Sequence, residues 1–215
     1  KDYFKSEYGV ESLIVRNIPS KTAINTTRIT SKDKENILVW QGAVNVERGL
    51  EELCEAMKYI DAKLIIMGQG DIKSDLENKI RQWGIDNKVC FLGRLPFEQM
   101  MNETVKAKLA ISIDKPTNGN YAISLPNKIF EYMDAAVPVL VSPLQEIKPI
   151  IENYKTGVFI RSYDPVELAK QIEELLSDCS QLDSIAENCR IACLEFCWEN
   201  EEKRITETLK RLKAV

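Results

Sequence analysis

Residues 121–142, YAISLPNKIFEYMDAAVPVLVS, decide the fold, because they read in order as a loop, a helix and a buried strand. Pro126 suits the first turn of a helix, where a missing N–H removes no intrahelical hydrogen bond, and Ser124 is predicted to be the N-cap. Residues 137–141 form a short apolar run of the kind that fills a parallel sheet. The apolar face of the predicted helix consists of Ile129, Phe130 and Met133.

The amino end of this helix is predicted to bind an anion. Its free N–H groups and the positive end of the helix dipole point toward the preceding loop, and both attract phosphate. Lys128 and Glu131 fall in the first two turns, where their side chains can reach a ligand. The sequence therefore predicts a phosphate site with a carboxylate beside it. The loop residues at this helix end are Ser124, Leu125, Pro126 and Asn127.

Apolar runs alternate with amphipathic segments along the chain. This pattern predicts a doubly wound, Rossmann-like α/β fold, because parallel strands need helical crossovers on both faces of the sheet. Ligands in such a fold bind beyond the carboxyl ends of the strands. Strands are predicted at 37–40, 62–67, 88–92, 109–113, 137–141 and 158–160. Further helices are predicted at 50–60, 74–83, 97–107, 144–153 and 164–176, with a last one that starts near 196.

Four glycines, at positions 42, 68, 70 and 93, stand at the predicted strand ends. Glycine lets the backbone approach a ligand that a Cβ would exclude. Gly42 opens a loop to Arg48, whose guanidinium can bind a diphosphate. Taken alone, Arg48 is better explained as a solvated charge before a helix. The polar segment 114–120, DKPTNGN, is predicted to be a mobile loop that contacts a ligand, with a long surface turn as the alternative.

Composition limits the classes of function. The chain has 215 residues, 44% hydrophobic and 29% charged, which is enough for one large α/β domain with its own core. A net charge of −4 gives no support for a nucleic-acid-binding face. No apolar run approaches the roughly 18 residues that span a bilayer, and no signal sequence is visible. A cytoplasmic protein is therefore predicted.

Six cysteines and the absence of histidine exclude several kinds of site. Four of the cysteines cluster near the C-terminus, but their spacing only loosely resembles a zinc site, and no histidine completes one. Reduced thiols and no metal site are therefore predicted. Nucleophilic Ser-His and Cys-His pairs are excluded as well. The clustered cysteines are Cys179, Cys189, Cys193 and Cys197.

Three parts are predicted along the chain. Residues 1–33 are interpreted as a segment that ends in a polar linker, with a strand and loop of no chemical role as an equal alternative, residues 34–198 as the ligand-binding domain, and residues 199–215 as a C-terminal helix. A chain that begins with Lys instead of Met is expected to be a piece of a longer protein. The basic side chains of the last helix are explained by a solvated face, and contact with an anionic membrane is the alternative.

The segment SLPNKIFEYMDAAVPVLVS resembles the signature helix of group 1 nucleotide-sugar glycosyltransferases, which are retaining enzymes with the GT-B fold. The resemblance implies the C-terminal, donor-binding half of such an enzyme, with a crossing helix at its end, and it implies that residues 1–33 contain the tail of the N-terminal domain and a linker. In the family this segment carries the second Glu of a Glu-x7-Glu motif. The matching residue is Glu131, which is implied to bind the ribose hydroxyls of the donor. The first Glu is absent, because Ile123 stands eight residues earlier, and we interpret its loss as a subgroup feature.

Two further loops resemble the same family. Residues 41–49, QGAVNVERG, are similar to the loop whose basic residue, here Arg48, meets the donor phosphate, although a second basic residue common in the family is absent. Residues 93–95, GRL, resemble the loop that binds the base. The diphosphate is then implied to be held without a metal, and no catalytic residue is assigned. The implied donor-binding residues are Gly42, Arg48, Gly68, Gly70, Arg94, Leu95, Asn120, Ser124, Leu125, Pro126, Asn127, Lys128 and Glu131.

The implied function is transfer of a glycosyl group from a UDP-type or GDP-type nucleotide sugar, which is a substrate and not a cofactor. The acceptor, a glycan or a lipid-linked sugar, would be held by a domain missing from this chain, which alone would be inactive. A catalytically silent nucleotide-binding subunit is one alternative, and Ile123 favours it. A sugar-nucleotide epimerase is another, but it would need acid/base carboxylates or histidine in the cleft. A receiver-type signalling domain is disfavoured because acidic residues follow neither the first nor the third predicted strand.

Overall fold

The structure is a computed structural model that describes residues 2–20, 30–117 and 119–213. Within these residues the strands are β1 (Ile37–Gln41), β2 (Lys63–Met67), β3 (Val89–Gly93), β4 (Leu109–Ser112), β5 (Val139–Val141) and β6 (Gly157–Phe159). The helices are α1 (Asp2–Tyr8), α2 (Leu50–Ala56), α3 (Lys73–Gln82), α4 (Phe97–Thr104), α5 (Gly119–Ala122), α6 (Lys128–Asp134), α7 (Lys148–Tyr154), α8 (Pro165–Ser177), α9 (Cys179–Ala192) and α10 (Trp198–Lys213).

The six strands form one parallel sheet in the order β3-β2-β1-β4-β5-β6. The chain moves outward from β1 to β3, returns to β4 beside β1, and then moves outward in the other direction. This reversal is the doubly wound arrangement, so the predicted fold class is confirmed. It also opens a crevice between the carboxyl ends of β1 and β4, which is where such folds bind ligands.

The core consists of two layers, one on each face of the sheet. Successive residues of β1 point to opposite faces: Leu38 and Trp40 pack in one layer, and Val39 packs in the other. The first layer includes side chains of α2 and α8, and the second includes side chains of α6 and α9. Because both faces are covered by helices, the strands are largely apolar, and their polar residues Gln41, Lys63 and Ser112 stand at strand ends.

The six predicted strands all occur, and residues 3–8, whose sequence could be helical, belong to α1, but two helices were not predicted. The first is α5, in the segment interpreted as a loop, and the second is α9, which begins after its N-cap Asp178. All six cysteines are free thiols, as predicted. Burial raises the pKa of Cys54 to about 12, which makes that thiol unreactive. Cys90 is exposed on β3.

The last helix, α10, crosses to the N-terminal segment of the chain. The N–H of Trp198 donates to the carbonyl of Pro19 at 2.9 Å, and the carboxylate of Glu201 lies 3.1 Å from Nη1 of Arg16. The predicted C-terminal crossing helix is thereby confirmed. The division into three parts stays a prediction, and residues 21–29 and 118 of the predicted linker and loop lie outside the described residues. No helix in the described part of the chain is long and apolar enough to cross a membrane.

Candidate functional site

Glycines bring the ends of β1, β2 and β3 into direct contact. The N–H of Gly42 donates to the carbonyl of Met67 at 3.0 Å, and the N–H of Gly68 donates to the carbonyl of Gly93 at 2.8 Å. Gly68 has a φ of +149°, and a Cβ at this position would lie 1.8 Å from the carbonyl oxygen of Gly42. Only glycine fits there. The contact between two chain segments therefore explains Gly68, and its role toward a ligand stays a prediction.

One buried carboxylate joins three separate segments at the crevice. Asp114 follows β4 with its side chain 1% exposed, and its Oδ2 lies 3.2 Å from Nη1 of Arg48, in the loop before α2. Its Oδ1 lies 3.5 Å from Nζ of Lys128, the first residue of α6. The Lys128 ammonium is 4.7 Å from the centre of the Trp40 ring, and the Arg48 guanidinium is 4.6 Å from that of Tyr121. Two cations are thus held side by side at the switch point of the sheet.

The charge of Lys128 depends on its neighbours. Burial lowers the pKa of Lys128 below its ordinary value, the carboxylate of Asp114 opposes that shift, and Arg48 adds to it. An anion that enters the crevice would favour the charged ammonium, as any nearby negative charge does. The site is therefore suited to a negatively charged ligand.

Glu131 is fixed at the same crevice by Gln41, the last residue of β1. The side-chain amide of Gln41 donates a short hydrogen bond to Oε2 of Glu131. The main-chain N–H of Gln41 donates to the hydroxyl of Tyr132 at 3.2 Å, and Oε1 of Gln41 lies 3.1 Å from Oγ1 of Thr104. Burial raises the pKa of Glu131, and the hydrogen bond from Gln41 and the charge of Lys128 oppose the rise. The orientation of this carboxylate is set before any ligand arrives.

Two adjoining clefts open at these residues. The first, of about 430 Å³, lies between the loop after β1 and the start of α6 and contains the charged side chains. The second, of about 440 Å³, lies at the ends of β2 and β3 and is largely apolar, with Arg94 at its edge. The residues that line both clefts are Gly42, Ala43 and Met100. A ligand with one charged part and one flat apolar part could occupy both.

The start of α6 differs from the prediction. The helix begins at Lys128 with Asn127 as its N-cap residue, and no side chain caps it. The prediction of Ser124 as N-cap is wrong, because its hydroxyl donates to the carbonyl of Tyr121 at 3.0 Å. The physical reason is α5: residues 119–122 form a separate helical turn, and Ser124 closes that turn instead of starting the next helix.

The structure brings most of the predicted site residues together. Those that line the first cleft are Gly42, Arg48, Leu125, Pro126, Asn127, Lys128 and Glu131. Those that line the second are Gly42, Gly68, Arg94 and Leu95. Those that line neither cleft are Gly70, Asn120 and Ser124. A Cβ on Gly70 would lie 2.2 Å from the carbonyl oxygen of Val44, so contact with the chain itself accounts for this glycine.

Three residues of the site were not predicted. Asp114 was included only as part of a loop, and Trp40 and Gln41 only as parts of a strand and a motif. A polar residue that continues an apolar strand up to a glycine, as Gln41 does, is a signal that could have been used. An acidic residue at the end of a buried strand, as at Asp114, is another, because buried carboxylates need partners.

A doubly wound sheet with a cationic crevice at its switch point defines a Rossmann-like ligand-binding domain. Within that class, this chain belongs to the group 1 glycosyl transferases, whose family model matches residues 23–191. The resemblance recognised in residues 124–142 is thereby confirmed.

Two relatives illustrate the relationship. An uncharacterized glycosyltransferase of Methanocaldococcus jannaschii is 28% identical over 200 residues, which are 90% of this chain and 50% of that protein. The Campylobacter jejuni GalNAc-alpha-(1->4)-GalNAc-alpha-(1->3)-diNAcBac-PP-undecaprenol alpha-1,4-N-acetyl-D-galactosaminyltransferase is 25% identical over 174 residues, 78% of this chain and 46% of that enzyme. The chain spans about half the length of these relatives.

Solved structures share the fold at lower sequence identity. HepE of Anabaena, in complex with UDP, has a TM-score of 0.70 and 19% identity, over 83% of this chain and 50% of HepE. The pneumococcal O-GlcNAc transferase GtfA, in complex with UDP and GlcNAc, has a TM-score of 0.76 and 13% identity, over 98% of this chain and 42% of GtfA. These similarities confirm the GT-B, Rossmann-like architecture.

Proposed function

We propose that this chain is the donor-binding half of a glycosyltransferase that uses a nucleoside-diphosphate sugar of the UDP or GDP type. The observation that carries the proposal is the convergence of Arg48 and Lys128 on Asp114 at the wall of the first cleft. Two cations at the reversal of strand order match the two negatively charged groups of a diphosphate.

The donor would lie across both clefts. Its diphosphate would meet Arg48 and Lys128, and its ribose hydroxyls would donate to Glu131, which Gln41 holds in place. The base would occupy the second cleft, next to Arg94 and Leu95. The structural neighbour HepE, which was solved with UDP and with UDP-glucose, supports this class of ligand.

The chemistry follows from the charges. When the bond between the anomeric carbon and the β-phosphate oxygen breaks, negative charge grows on the departing nucleoside diphosphate. Arg48 and Lys128 would stabilise that charge electrostatically, in a crevice that is partly shielded from water. Transfer with retention of configuration and without a metal ion is part of the proposal, and the catalytic groups would come in part from outside this chain.

The acceptor would bind in a part of the protein outside this chain. The name of the Campylobacter jejuni relative describes a glycan linked to undecaprenol through a diphosphate, which supports a lipid-linked glycan as the acceptor. A cytoplasmic protein in peripheral contact with a membrane would fit such an acceptor.

The proposal is tested by calorimetric titration of this chain with UDP, GDP, ADP and CMP in the presence of EDTA. We expect saturable binding of UDP or GDP, and at least roughly tenfold weaker binding by Glu131→Ala, because charge-assisted hydrogen bonds to the ribose are lost. Glu152→Ala is the matched control, since Glu152 is an exposed glutamate near the end of the equally short helix α7. The proposal is wrong if a folded chain binds none of the four nucleotides, or if both variants bind like the wild type.

A further inference from the structure

Asp114 is a buried carboxylate that no sequence motif explains. Its side chain is 1% exposed, and it follows a strand whose other residues are apolar or small. Its main-chain carbonyl accepts a hydrogen bond from the hydroxyl of Tyr163 at 3.2 Å, which fixes the backbone at this point. An ionised carboxylate at such a depth is costly unless cations neutralise it, and here two cations do so.

The polar groups around Asp114 are only partly satisfied. The 3.5 Å between its Oδ1 and Nζ of Lys128 is an ion-pair distance, and Oδ1 forms no hydrogen bond to any described residue. Nε of Arg48 and Nε1 of Trp40 are likewise buried without an acceptor among residues 2–20, 30–117 and 119–213. These three atoms are closed off from solvent, but the side chains that carry the two cations, Arg48 and Lys128, line the first cleft together with Trp40.

We infer that Asp114 is a positioning residue for donor binding: it keeps Lys128 charged and holds Lys128 and Arg48 side by side, facing the cleft in which the diphosphate would lie. Asp114 itself does not line that cleft, as expected of a carboxylate that would repel phosphate. The identity of the ligand rests on the proposed function above. The effect of Asp114 on the two cations does not rest on the proposed function, because it exists before any ligand binds.

The groups that face Lys128 determine the direction of the expected change. They are Asp114 after β4, Arg48 before α2, Glu131 on α6 and the ring of Trp40 on β1. Burial and Arg48 lower the pKa of Lys128, whereas Asp114 and Glu131 raise it. Asp114→Asn removes one of the two negative charges, so the pKa of Lys128 falls further. At acid pH the lysine is protonated in both proteins, and with rising pH the variant loses this proton first.

The first test measures Lys128 without a ligand. Chains with ¹³C-labelled lysine are titrated by NMR, and Lys128→Met assigns the Lys128 resonance. We expect the midpoint of Lys128 to lie at lower pH in Asp114→Asn than in the wild type. Glu52→Gln is the matched control, because Glu52 is a partly buried carboxylate that pairs with Lys115, next to Asp114. An unchanged midpoint in Asp114→Asn, or an equal shift in Glu52→Gln, overturns the inference.

The second test measures the affinity for UDP and GDP by calorimetry from pH 6 to pH 9. The ratio of the dissociation constant of Asp114→Asn to that of the wild type is used, because the ionisation of the nucleotide then cancels. We expect this ratio to rise with pH, because Asp114→Asn loses the Lys128 proton at a lower pH than the wild type does. A ratio that is the same at every pH reduces Asp114 to a structural residue and overturns the inference.

The two tests separate the two proposals. If the wild type binds neither UDP nor GDP, the proposed function is wrong, and the NMR titration still decides whether Asp114 controls the charge of Lys128. If the wild type binds one of them and the ratio does not change with pH, the inference fails and the proposed function stands.

Discussion

Two buried carboxylates in this molecule each lie beside a pair of cations of their own. They differ in how completely hydrogen bonds satisfy the carboxylate oxygens. Glu201 on α10 accepts hydrogen bonds from the backbone N–H of Arg16 at 3.2 Å and from Nη1 of Arg16 at 3.1 Å. Its two oxygens also lie 2.8 and 3.0 Å from Nη1 of Arg204. Both oxygens of Glu201 are therefore satisfied by the chain itself.

Asp114, in contrast, has one hydrogen bond of 3.2 Å to Arg48 and one longer ion pair with Lys128. Its cations line an open cleft, whereas the Glu201 cluster lines neither of the two clefts at the strand ends. Nε of Arg16 and Nε of Arg48 are both buried without an acceptor among the described residues, so the two clusters differ in their carboxylate oxygens and in their access to a cleft, and not in their donors. The comparison therefore assigns stability to the Glu201 cluster and ligand binding to the Asp114 cluster.

Among the variants that test this contrast, Lys128→Met is expected to have the largest effect. We expect affinity for UDP or GDP to fall by roughly 2–3 kcal/mol, because a charged donor to phosphate is lost in a partly dehydrated site. The free energy of unfolding should change by less than about 1 kcal/mol, because Asp114 keeps Arg48 as its partner and the burial of an ammonium no longer opposes folding. Calorimetry and urea unfolding measure the two quantities.

Lys148→Met is the matched control for this variant. Lys148 is also the first residue of a seven-residue helix, α7, but its side chain is 56% exposed. This control should alter neither quantity. If Lys128→Met instead lost several kcal/mol of stability and bound the nucleotide normally, Lys128 would belong with the structural cluster, and the contrast between the two carboxylates would disappear.

Glu201→Gln should give the opposite pattern with a somewhat smaller effect. We expect the free energy of unfolding to fall by about 2 kcal/mol, because two arginines lose their shared counterion. One of these ion pairs joins α10 to the N-terminal segment. The value is below that of a fully buried pair, since the side chains of Arg16 and Arg204 are 30% and 42% exposed. Nucleotide affinity should stay within about twofold of the wild type.

Urea unfolding compares this variant with Glu202→Gln, which changes the exposed neighbour on the same helix. An equal loss of stability in both variants would mean that α10 depends on its total charge and not on the Glu201 cluster. A strong loss of nucleotide affinity in Glu201→Gln would show that the cluster is coupled to the cleft.

The sequence predicted the fold almost completely, because the strands are buried on both faces and are visible as apolar runs between helices. The two missed helices have local reasons. α5 has only four residues, too few for any periodicity, and it lies in a polar, glycine-containing segment. α9 follows α8 after the single residue Asp178, so no glycine or proline marks the start of a second helix after the one predicted at 164–176.

The site was predictable only in part. Lys128 and Glu131 could be predicted because they stand in the first two turns of a helix, and Arg48 because its loop resembles one in the family. The pairing of these residues with their partners could not be predicted, because Asp114 meets Arg48 and Lys128 only when β4 lies beside β1, and local pattern does not specify strand order. Gln41 was missed for the same reason: its hydrogen bond to Glu131 joins residues 90 positions apart.

The smallest effect is expected for Ser124→Ala, which tests where the cleft ends. Ser124 donates to Tyr121 and caps no helix, so its removal should lower the free energy of unfolding by about 0.5 kcal/mol and leave nucleotide affinity unchanged. Asp164→Ala is the reference variant, because Asp164 is a true N-cap that accepts from the N–H groups of Val166 and Glu167. This variant should lower the free energy of unfolding by about 1 kcal/mol. If Ser124→Ala weakened nucleotide binding more than about fivefold, its hydroxyl would turn from Tyr121 to the ligand, as the sequence predicted. The ligand-binding surface would then extend beyond the residues around Asp114 and include the turn between α5 and α6.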